Sequence, residues 1–188
     1  MIEFSPELQV GPGVRLRFYA PADAESLAGV IDANRAHLRQ WMPWVDSGVT
    51  PRDLMDFIER SATRAVEGTA AQYMIERDGR IAGTIGFNNV SEANRSAMIG
   101  YWLASDQVGR GLMTACVGKL LAYAFGDLQL NRITIAAAVE NRKSRAIPER
   151  FGMVREGVER QVEWLNGRFV DHVLYSLLRD EYAARPLT

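Results

Sequence analysis

A glycine-containing loop stands between a predicted strand and a predicted helix in the middle of the chain, and this order of elements limits the possible folds. Gly109 and Gly111 flank Arg110 in the loop, and apolar residues then recur at helical spacing as far as Phe125. A second buried run, Ile133–Val139, follows the helix. A strand, a helix and a second strand in this order predict a crossover connection that pairs the two strands in parallel. We therefore expect a mixed α/β fold.

The remaining predicted strands are antiparallel to their neighbours. Asp78-Gly79 separates two apolar runs and is a strong signal for a two-residue hairpin turn, and Asn166-Gly167 gives the same signal near the C-terminus. The patterns predict seven strands, at residues 14–19, 73–75, 81–87, 98–103, 133–139, 154–164 and 169–178. They also predict helices over residues 23–40, 50–68, 112–125 and 142–151. The expected architecture is a central mixed, mostly antiparallel seven-stranded sheet flanked by about four helices.

Size and composition exclude several classes of protein. The 188 residues, 47% of them hydrophobic, are enough for one core, so we expect a single domain over residues 1–188. The apolar runs are too short to cross a bilayer and the N-terminus lacks a signal-peptide pattern, which favours a cytoplasmic protein without a membrane partner. A net charge of -1 argues against direct nucleic-acid binding. One cysteine and two histidines predict no metal site, and Cys116 falls on the apolar face of its helix.

The glycine loop has two interpretations when it is taken alone. Backbone N–H groups in such a loop can point outward at the positive end of the following helix, where a phosphate would bind. The run from Gly109 to Thr114, Gly-Arg-Gly-Leu-Met-Thr, lacks the third glycine of a dinucleotide fingerprint and the Gly-Lys-Ser/Thr of a P-loop. It can equally be an ordinary strand-to-helix turn.

Four segments together carry a family resemblance, namely Gly100-Tyr101-Trp102-Leu103, Gly109-Arg110-Gly111-Leu112-Met113-Thr114, Glu140-Asn141-Arg142-Lys143-Ser144 and Glu149-Arg150-Phe151-Gly152-Met153. Their order resembles the GNAT superfamily of acyl-CoA N-acyltransferases over residues 14–178. More narrowly it is similar to the branch that acetylates the N-termini of ribosomal proteins. The resemblance implies a GNAT-type sheet, acetyl-CoA as co-substrate and direct acetyl transfer to an amine. The acceptor would be a protein N-terminus, or a small amine such as a polyamine or antibiotic.

The resemblance also implies a set of residues that contact CoA. The strand residues Tyr101, Trp102 and Leu103 would pair through their backbone with the pantetheine arm, and Asn141 would touch that arm. The pyrophosphate would lie on the loop and first helical turn, formed by Gln107, Val108, Gly109, Arg110, Gly111, Leu112, Met113 and Thr114. The family commonly has Gln or Arg where this chain has Val108, which predicts weaker retention of CoA. Val108 also motivates an alternative, a CoA-binding module without turnover. Separately, we expect that the protein could form a homo-oligomer.

Two residues are candidates for proton transfer by the same resemblance. Ser144 would protonate the departing CoA thiolate as general acid, and Glu163 would be the general base. From the residues alone, Asn141 and Ser144 could simply cap a short helix, and Glu163 could be a surface acid paired with Arg160 or Arg168. An α-amine with a pKa of about 8 costs about 1 kcal/mol to deprotonate at pH 7, whereas lysine costs about 4.6 kcal/mol, which favours an N-terminal acceptor.

Two further clusters have weaker interpretations. A cluster after the first helix consists of His37, Trp41, Pro43 and Trp44. It would border the acceptor channel of the resembled fold or, as is more common for tryptophans, pack a helix-helix junction. Asp171-His172 with Ser144 does not predict a hydrolase triad, because adjacent strand residues point to opposite faces and no Gly-x-Ser-x-Gly segment is present.

Overall fold

The computed structural model describes residues 2–47 and 49–184, and these form one eight-stranded sheet with helices on both faces. The strands are β1 (Glu7–Gly11), β2 (Val14–Phe18), β3 (Ala71–Arg77), β4 (Arg80–Ser91), β5 (Ser96–Leu103), β6 (Arg132–Ala138), β7 (Val154–Leu165) and β8 (Arg168–Leu178). The helices are α1 (Asp23–Ala33), α2 (Arg35–Leu38), α3 (Pro51–Val66), α4 (Leu112–Phe125), α5 (Arg142–Arg150) and α6 (Arg179–Ala183). The predicted mixed, mostly antiparallel fold is confirmed.

The described part of the chain has eight strands rather than seven and six helices rather than about four. The missed strand, β1, has five residues and only Leu8 buried, too little alternation to be recognised. The helix predicted over residues 23–40 is interrupted at Asn34, whose side-chain oxygen accepts hydrogen bonds from the N–H and the hydroxyl of Ser105, both at 2.8 Å. The chain therefore forms α1 and the short α2. The remaining addition, α6, follows β8 directly.

Local signals mark several of the other boundaries. Thr50 and Asp53 form a reciprocal capping box at the start of α3, with Pro51 at its first position. Asp78 and Gly79 both have positive φ angles, of 50° and 75°, as a two-residue hairpin turn requires. The predicted hairpins β3–β4 and β7–β8 are both formed.

The strand order is β1-β2-β3-β4-β5-β6-β8-β7, and every pair is antiparallel except β5–β6. The predicted crossover is thus confirmed. The parallel pair has only three matched positions, from Ser96 opposite Arg132 to Met98 opposite Thr134. Beyond them β5 continues to Leu103 and β6 to Ala138, but the two strands no longer pair with each other. A gap therefore opens between two central strands of the sheet.

Each face of the sheet carries its own hydrophobic core. On one face, here called the α4 face, α4 packs with α5 against residues such as Ile85 and Ile135. On the other, the α1 face, α1 and α3 pack against each other and against Trp102. Tyr101 packs into the α4 face and Trp102 into the α1 face, as alternation along β5 requires. The gap beside these residues therefore lies between the two helical layers.

Candidate active site

A cavity of about 340 Å³ occupies the gap between β5 and β6. Residues 99–102 of β5 and three successive alanines of β6, Ala136, Ala137 and Ala138, line its two sides. Small side chains leave room where the strands have separated. β5 is paired with β4 from Ile99 to Leu103, so the backbone groups on its other edge face the gap without a strand partner. Such groups can hydrogen-bond an amide-containing ligand that enters the gap.

Ser144 and Tyr101 meet where the cavity reaches the α4 face. The Ser144 hydroxyl donates to the Tyr101 phenol oxygen at 3.3 Å, and the phenol donates to the Ser144 carbonyl oxygen at 3.1 Å. Asn141 is the N-cap of α5 and accepts the backbone N–H of Ser144 at 3.1 Å. The cap fixes the first turn of the helix, so Ser144 is held at the wall of the cavity.

Burial raises the pKa of Tyr101 to about 12, although its hydrogen bond with Ser144 acts in the opposite direction. The phenol therefore stays protonated at neutral pH, where it donates one hydrogen bond to Ser144 and accepts another from it. Together the two hydroxyls give the α4 side of the cavity a neutral, proton-donating character.

Glu163 and His172 meet where the cavity reaches the α1 face. A Glu163 carboxylate oxygen, Oε2, lies 3.2 Å from Nε2 of His172, and their side chains are 29% and 19% exposed. Val173 and Tyr175 of β8 point into the core on the α4 face. Because successive side chains of a strand alternate between faces, His172 points to the α1 face. Glu163 stands opposite Val170 on the same side. The acid is therefore paired with His172 rather than with Arg160 or Arg168.

An irregularity in β7 brings Glu163 to this position. The register between β7 and β8 shifts between Glu159 and Glu163, and Gln161 within it has a positive φ of 52°. The N–H of Gln161 donates to the Asp171 side chain at 2.8 Å. Bulges of this kind re-aim a side chain relative to a regular strand. Asp171 thus holds the bulge, while its neighbour His172 contacts Glu163.

Polar and aromatic side chains complete the α1 side of the cavity. The Gln72 amide donates to the Asn88 side-chain oxygen at 2.7 Å, and both residues line the cavity. Trp41 and Trp44 line it too, and the ring centroids of Trp44 and Trp102 are 6.5 Å apart. The aromatic cluster after the first helix thus does border the cavity. His37 belongs instead to α2.

The glycine loop forms an anion-binding geometry at the start of α4. Gly109 and Gly111 have φ angles of 80° and 75°, which side-chain-bearing residues rarely adopt. Gly111 is the N-cap and provides no side-chain hydrogen bond, so the N–H groups of the first turn from Leu112 to Thr114 remain available to a ligand. Val108 is extended, and its N–H contacts the Ser105 carbonyl at 3.4 Å. These features fit a pyrophosphate.

The side chain of Gln107 is already engaged in this structure. Its oxygen accepts from Arg77 at 3.3 Å and its amide nitrogen donates to Asp106 at 2.8 Å. Arg110 is exposed beside it. Of the two side chains expected to assist the phosphate-binding amides, Arg110 is therefore the one that can turn towards an anion without breaking these bonds.

The structure brings five of the sequence-predicted site residues to one cavity: Tyr101, Trp102, Asn141, Ser144 and Glu163. Leu103 ends β5, and residues 107–114 form the loop and first turn of α4. Sequence reasoning missed the Tyr101 hydroxyl, His172 and the Gln72–Asn88 pair. Alternation in β8 could have indicated the face of His172, but its contact with Glu163 depends on the bulge at Gln161.

Other classes of site are not found in the described residues. Residues 2–47 and 49–184 contain no group of three or more His, Cys, Asp or Glu side chains suited to a metal ion. No helix in that part of the chain has the length and apolar character needed to span a bilayer. Cys116 is fully buried, and burial raises its pKa to about 12, so its thiol is not a nucleophile at neutral pH.

Comparison with known proteins assigns the family. Residues 14–154 match the family described as "Acetyltransferase (GNAT) domain". YdaF of Bacillus subtilis (strain 168), provisionally named a ribosomal N-acetyltransferase, is 39% identical over 177 residues, covering 93% of this chain and 96% of that protein.

Two solved structures are similar over nearly their whole length. The first is RimL, a ribosomal L7/L12 alpha-N-protein acetyltransferase in complex with coenzyme A, with a TM-score of 0.89, 26% identity and coverage of 93% of this chain and 99% of that one. The second is the microcin C7 self immunity acetyltransferase MccE in complex with acetyl-CoA and AMP, with a TM-score of 0.87, 32% identity and coverage of 93% and 97%. The family match and the crevice between β5 and β6 agree, and the chain belongs to the GNAT family of N-acetyltransferases.

Proposed function

We propose that this enzyme transfers an acetyl group from acetyl-CoA to the N-terminal α-amine of a protein, with a ribosomal protein as the acceptor. One observation carries the proposal: Ser144 and Glu163 line the same cavity from opposite faces of the sheet. A proton donor on one side and a proton acceptor on the other are what acyl transfer through the gap requires. On this proposal the enzyme acts in the cytoplasm.

The α4 face has the features needed to bind acetyl-CoA, the acetyl donor. Acetyl-CoA supplies the acetyl group as an activated thioester. The N–H groups at the start of α4 would hold its pyrophosphate, and the free edge of β5 would pair with the amides of its pantetheine arm. A backbone N–H of β5 directed at the thioester carbonyl would stabilise the charge that develops on that oxygen, an effect that can reach about 3 kcal/mol for one donor.

The reaction takes one proton from the amine on one side of the gap and gives one proton to the sulfur on the other side. A bond forms between the amine nitrogen and the acetyl carbon, and the bond between that carbon and sulfur breaks. Glu163 accepts the proton that the amine loses, and Ser144 gives a proton to the departing sulfur. Exchange with water then restores both groups. His172 contacts Glu163 at 3.2 Å and acts as a positioning residue for that carboxylate.

The charge of the cavity favours an α-amine over a polyamine. Among the residues of segments 2–47 and 49–184 that line it, Glu163 is the one carboxylate. A polyamine carries several positive charges, which would need further acidic partners. An α-amine with a pKa of about 8 is within reach of a single carboxylate, whereas lysine at about 10.4 needs about 3 kcal/mol more to lose its proton. Relatives named for ribosomal proteins support the same choice.

A small-molecule amine is the second candidate acceptor. The similar MccE structure contains AMP, and Trp41, Trp44, Phe57 and Trp102 give the α1 side of this cavity aromatic walls that could hold a flat ring. A CoA-binding module without turnover is the remaining alternative, and it predicts binding of CoA without transfer to any amine.

An assay of thiol release from acetyl-CoA distinguishes the three hypotheses: a protein N-terminus as acceptor, a small amine as acceptor, and a CoA-binding module without turnover. Peptides with a free N-terminus are compared with the same peptides carrying a blocked N-terminus and one lysine, and with a panel of small amines. We expect the free-N-terminus peptides to react at least about 100-fold faster than the blocked ones, as the difference in amine pKa indicates. Activity on small amines alone would replace the proposal with the second candidate, and no turnover with measurable CoA binding would support the module.

A further inference from the structure

A second cavity, of about 490 Å³, adjoins the catalytic one on the α1 face. It lies between α1 and α3, with Leu27 and Ile31 on one side and Leu54 on the other. Four residues line both cavities: Trp44, Phe57, Thr84 and Trp102. We call this space the side pocket. The side pocket therefore adjoins the cavity that Glu163 lines, along these four residues.

The side pocket has the chemistry of an apolar binding site. The carboxylate on its wall, Asp53, accepts the N–H and the hydroxyl of Thr50 at 2.9 and 2.6 Å in the cap of α3. The Tyr19 hydroxyl is hydrogen-bonded to Thr84, and burial raises its pKa. Both groups already have partners. Asp53 is exposed and its charge is in contact with solvent, whereas the leucine and isoleucine side chains of α1 and α3 form an apolar wall that would remove an aliphatic or aromatic group from water.

We propose that the side pocket binds the side chain of the acceptor's first residue and selects N-termini that begin with a large apolar residue such as leucine, methionine or phenylalanine. The inference rests on the proposed function, because it assumes a peptide acceptor. The α-amine and the first side chain are attached to the same carbon atom. An amine placed beside Glu163 would put its side chain into a neighbouring space, and the side pocket adjoins the cavity that Glu163 lines, along the four residues that the two share.

A peptide series that differs only at the first residue tests the selection. Peptides beginning with serine, alanine, leucine or phenylalanine, and otherwise identical, are compared by kcat/KM at saturating acetyl-CoA. We expect the leucine or phenylalanine peptide to exceed the alanine peptide at least about tenfold, since even one methylene in an apolar pocket can give about that discrimination. Equal rates across the series would overturn the side-pocket inference and leave the proposed function standing. Failure of every peptide, with turnover of small amines, would overturn both.

A pair of variants assigns the selection to this pocket. Leu54→Phe fills the side pocket and should lower the ratio of leucine-peptide to alanine-peptide kcat/KM at least about fivefold, while Leu54→Ala enlarges it and should raise the phenylalanine-to-leucine ratio. Val66→Phe is the matched control, because Val66 lies on the same helix and is 77% exposed. Thermal unfolding confirms that each variant is folded. A ratio that is the same in the Leu54 variants and in the control would contradict the assignment.

Discussion

Glu163 is the residue on which the proposed chemistry depends most directly. Its carboxylate lines the cavity from the α1 face and has His172 as its hydrogen-bonding partner. Replacement by glutamine keeps the size and removes the proton acceptor. We expect Glu163→Gln to lower kcat about 10²- to 10⁴-fold, the usual range for a general base, with the KM for acetyl-CoA changed less than about twofold.

Two variants provide the comparison for Glu163. His172→Gln leaves the carboxylate in place but changes the group that orients it, so kcat should fall by less than in Glu163→Gln. Glu159→Gln removes an acid from the same strand outside the cavity and should leave kcat unchanged. Steady-state kinetics on the best acceptor peptide measure all three. If Glu163→Gln were as active as Glu159→Gln, another group would have to be the base.

Tyr101 gives a second prediction at this scale. Its pKa is raised to about 12 by burial, so the phenol is protonated throughout the pH range in which an α-amine with a pKa of about 8 titrates. We expect Tyr101→Phe to lower kcat about tenfold, as loss of one hydrogen bond of about 1.4 kcal/mol would, without changing the shape of the pH–rate profile between pH 6 and about 10. An alkaline limb that disappears in Tyr101→Phe would show that the phenol ionises in that range.

Single residues also mark where sequence reasoning ends. The cap formed by Asn141 was an alternative to its proposed contact with the pantetheine arm, and the structure makes the cap without excluding the contact. The reasoning that Asp171 and His172 point to opposite faces agrees with their different partners, Gln161 and Glu163. Sequence reasoning could not predict the bulge in β7, because no sequence pattern indicates that the backbone of Gln161 adopts a left-handed conformation.

At the scale of elements, the order and type of the strands and helices were largely predictable. Periodicity predicted the parallel pair β5–β6, and turn residues predicted both main hairpins. Separation of β5 from β6 after three matched positions was implied only indirectly, by the pantetheine contact that the family resemblance gives to Tyr101, Trp102 and Leu103. Helical and strand periods report which face is buried and carry no information on whether neighbouring strands stay together. The interruption at Asn34 was missed because it depends on Ser105, which is 71 residues away in sequence.

The end of the sheet gives a prediction on stability. Glu156, on the edge strand β7, reaches over β8 to Arg132 on β6 at 2.6 Å and accepts the Ser176 hydroxyl at 2.8 Å. Its hydrogen bonds to Arg132 and then to Ser176 lower its pKa from 4.5 to about 2. A carboxyl whose pKa is lower in the folded state stabilises that state when ionised. The contribution is therefore complete above about pH 4.5 and is lost as the pH falls towards 2.

We expect Glu156→Gln to lower the Tm at pH 7 by about 2–4 °C, which corresponds to about 1 kcal/mol for a partly exposed ion pair in a chain of this size. The difference from the unmodified protein should shrink below about pH 4.5 and vanish near pH 2. Glu159→Gln on the same strand is the control and should have a Tm close to that of the unmodified protein at each pH. A difference between Glu156→Gln and the unmodified protein that did not depend on pH would mean that the charge of Glu156 is not what stabilises this edge.

At the scale of the whole molecule, the gap between β5 and β6 connects the two faces of the sheet, which carry different parts of the proposed site. The α4 face has Ser144, Tyr101 and the turn that we propose binds phosphate, and the α1 face has Glu163, His172 and the side pocket. Donor and acceptor would therefore approach from opposite sides and meet between β5 and β6. The sequence could supply the list of residues through its family resemblance, but their division between the two faces required the strand registers.

A crystal structure with coenzyme A and an acceptor peptide tests this arrangement most directly. We predict that the sulfur lies between β5 and β6 within about 4 Å of the Ser144 hydroxyl, since hydrogen bonds to sulfur are longer than those to oxygen, with the peptide α-amine on the Glu163 side. A closed gap at saturating coenzyme A, or a sulfur and an amine bound on the same face of the sheet, would contradict the account.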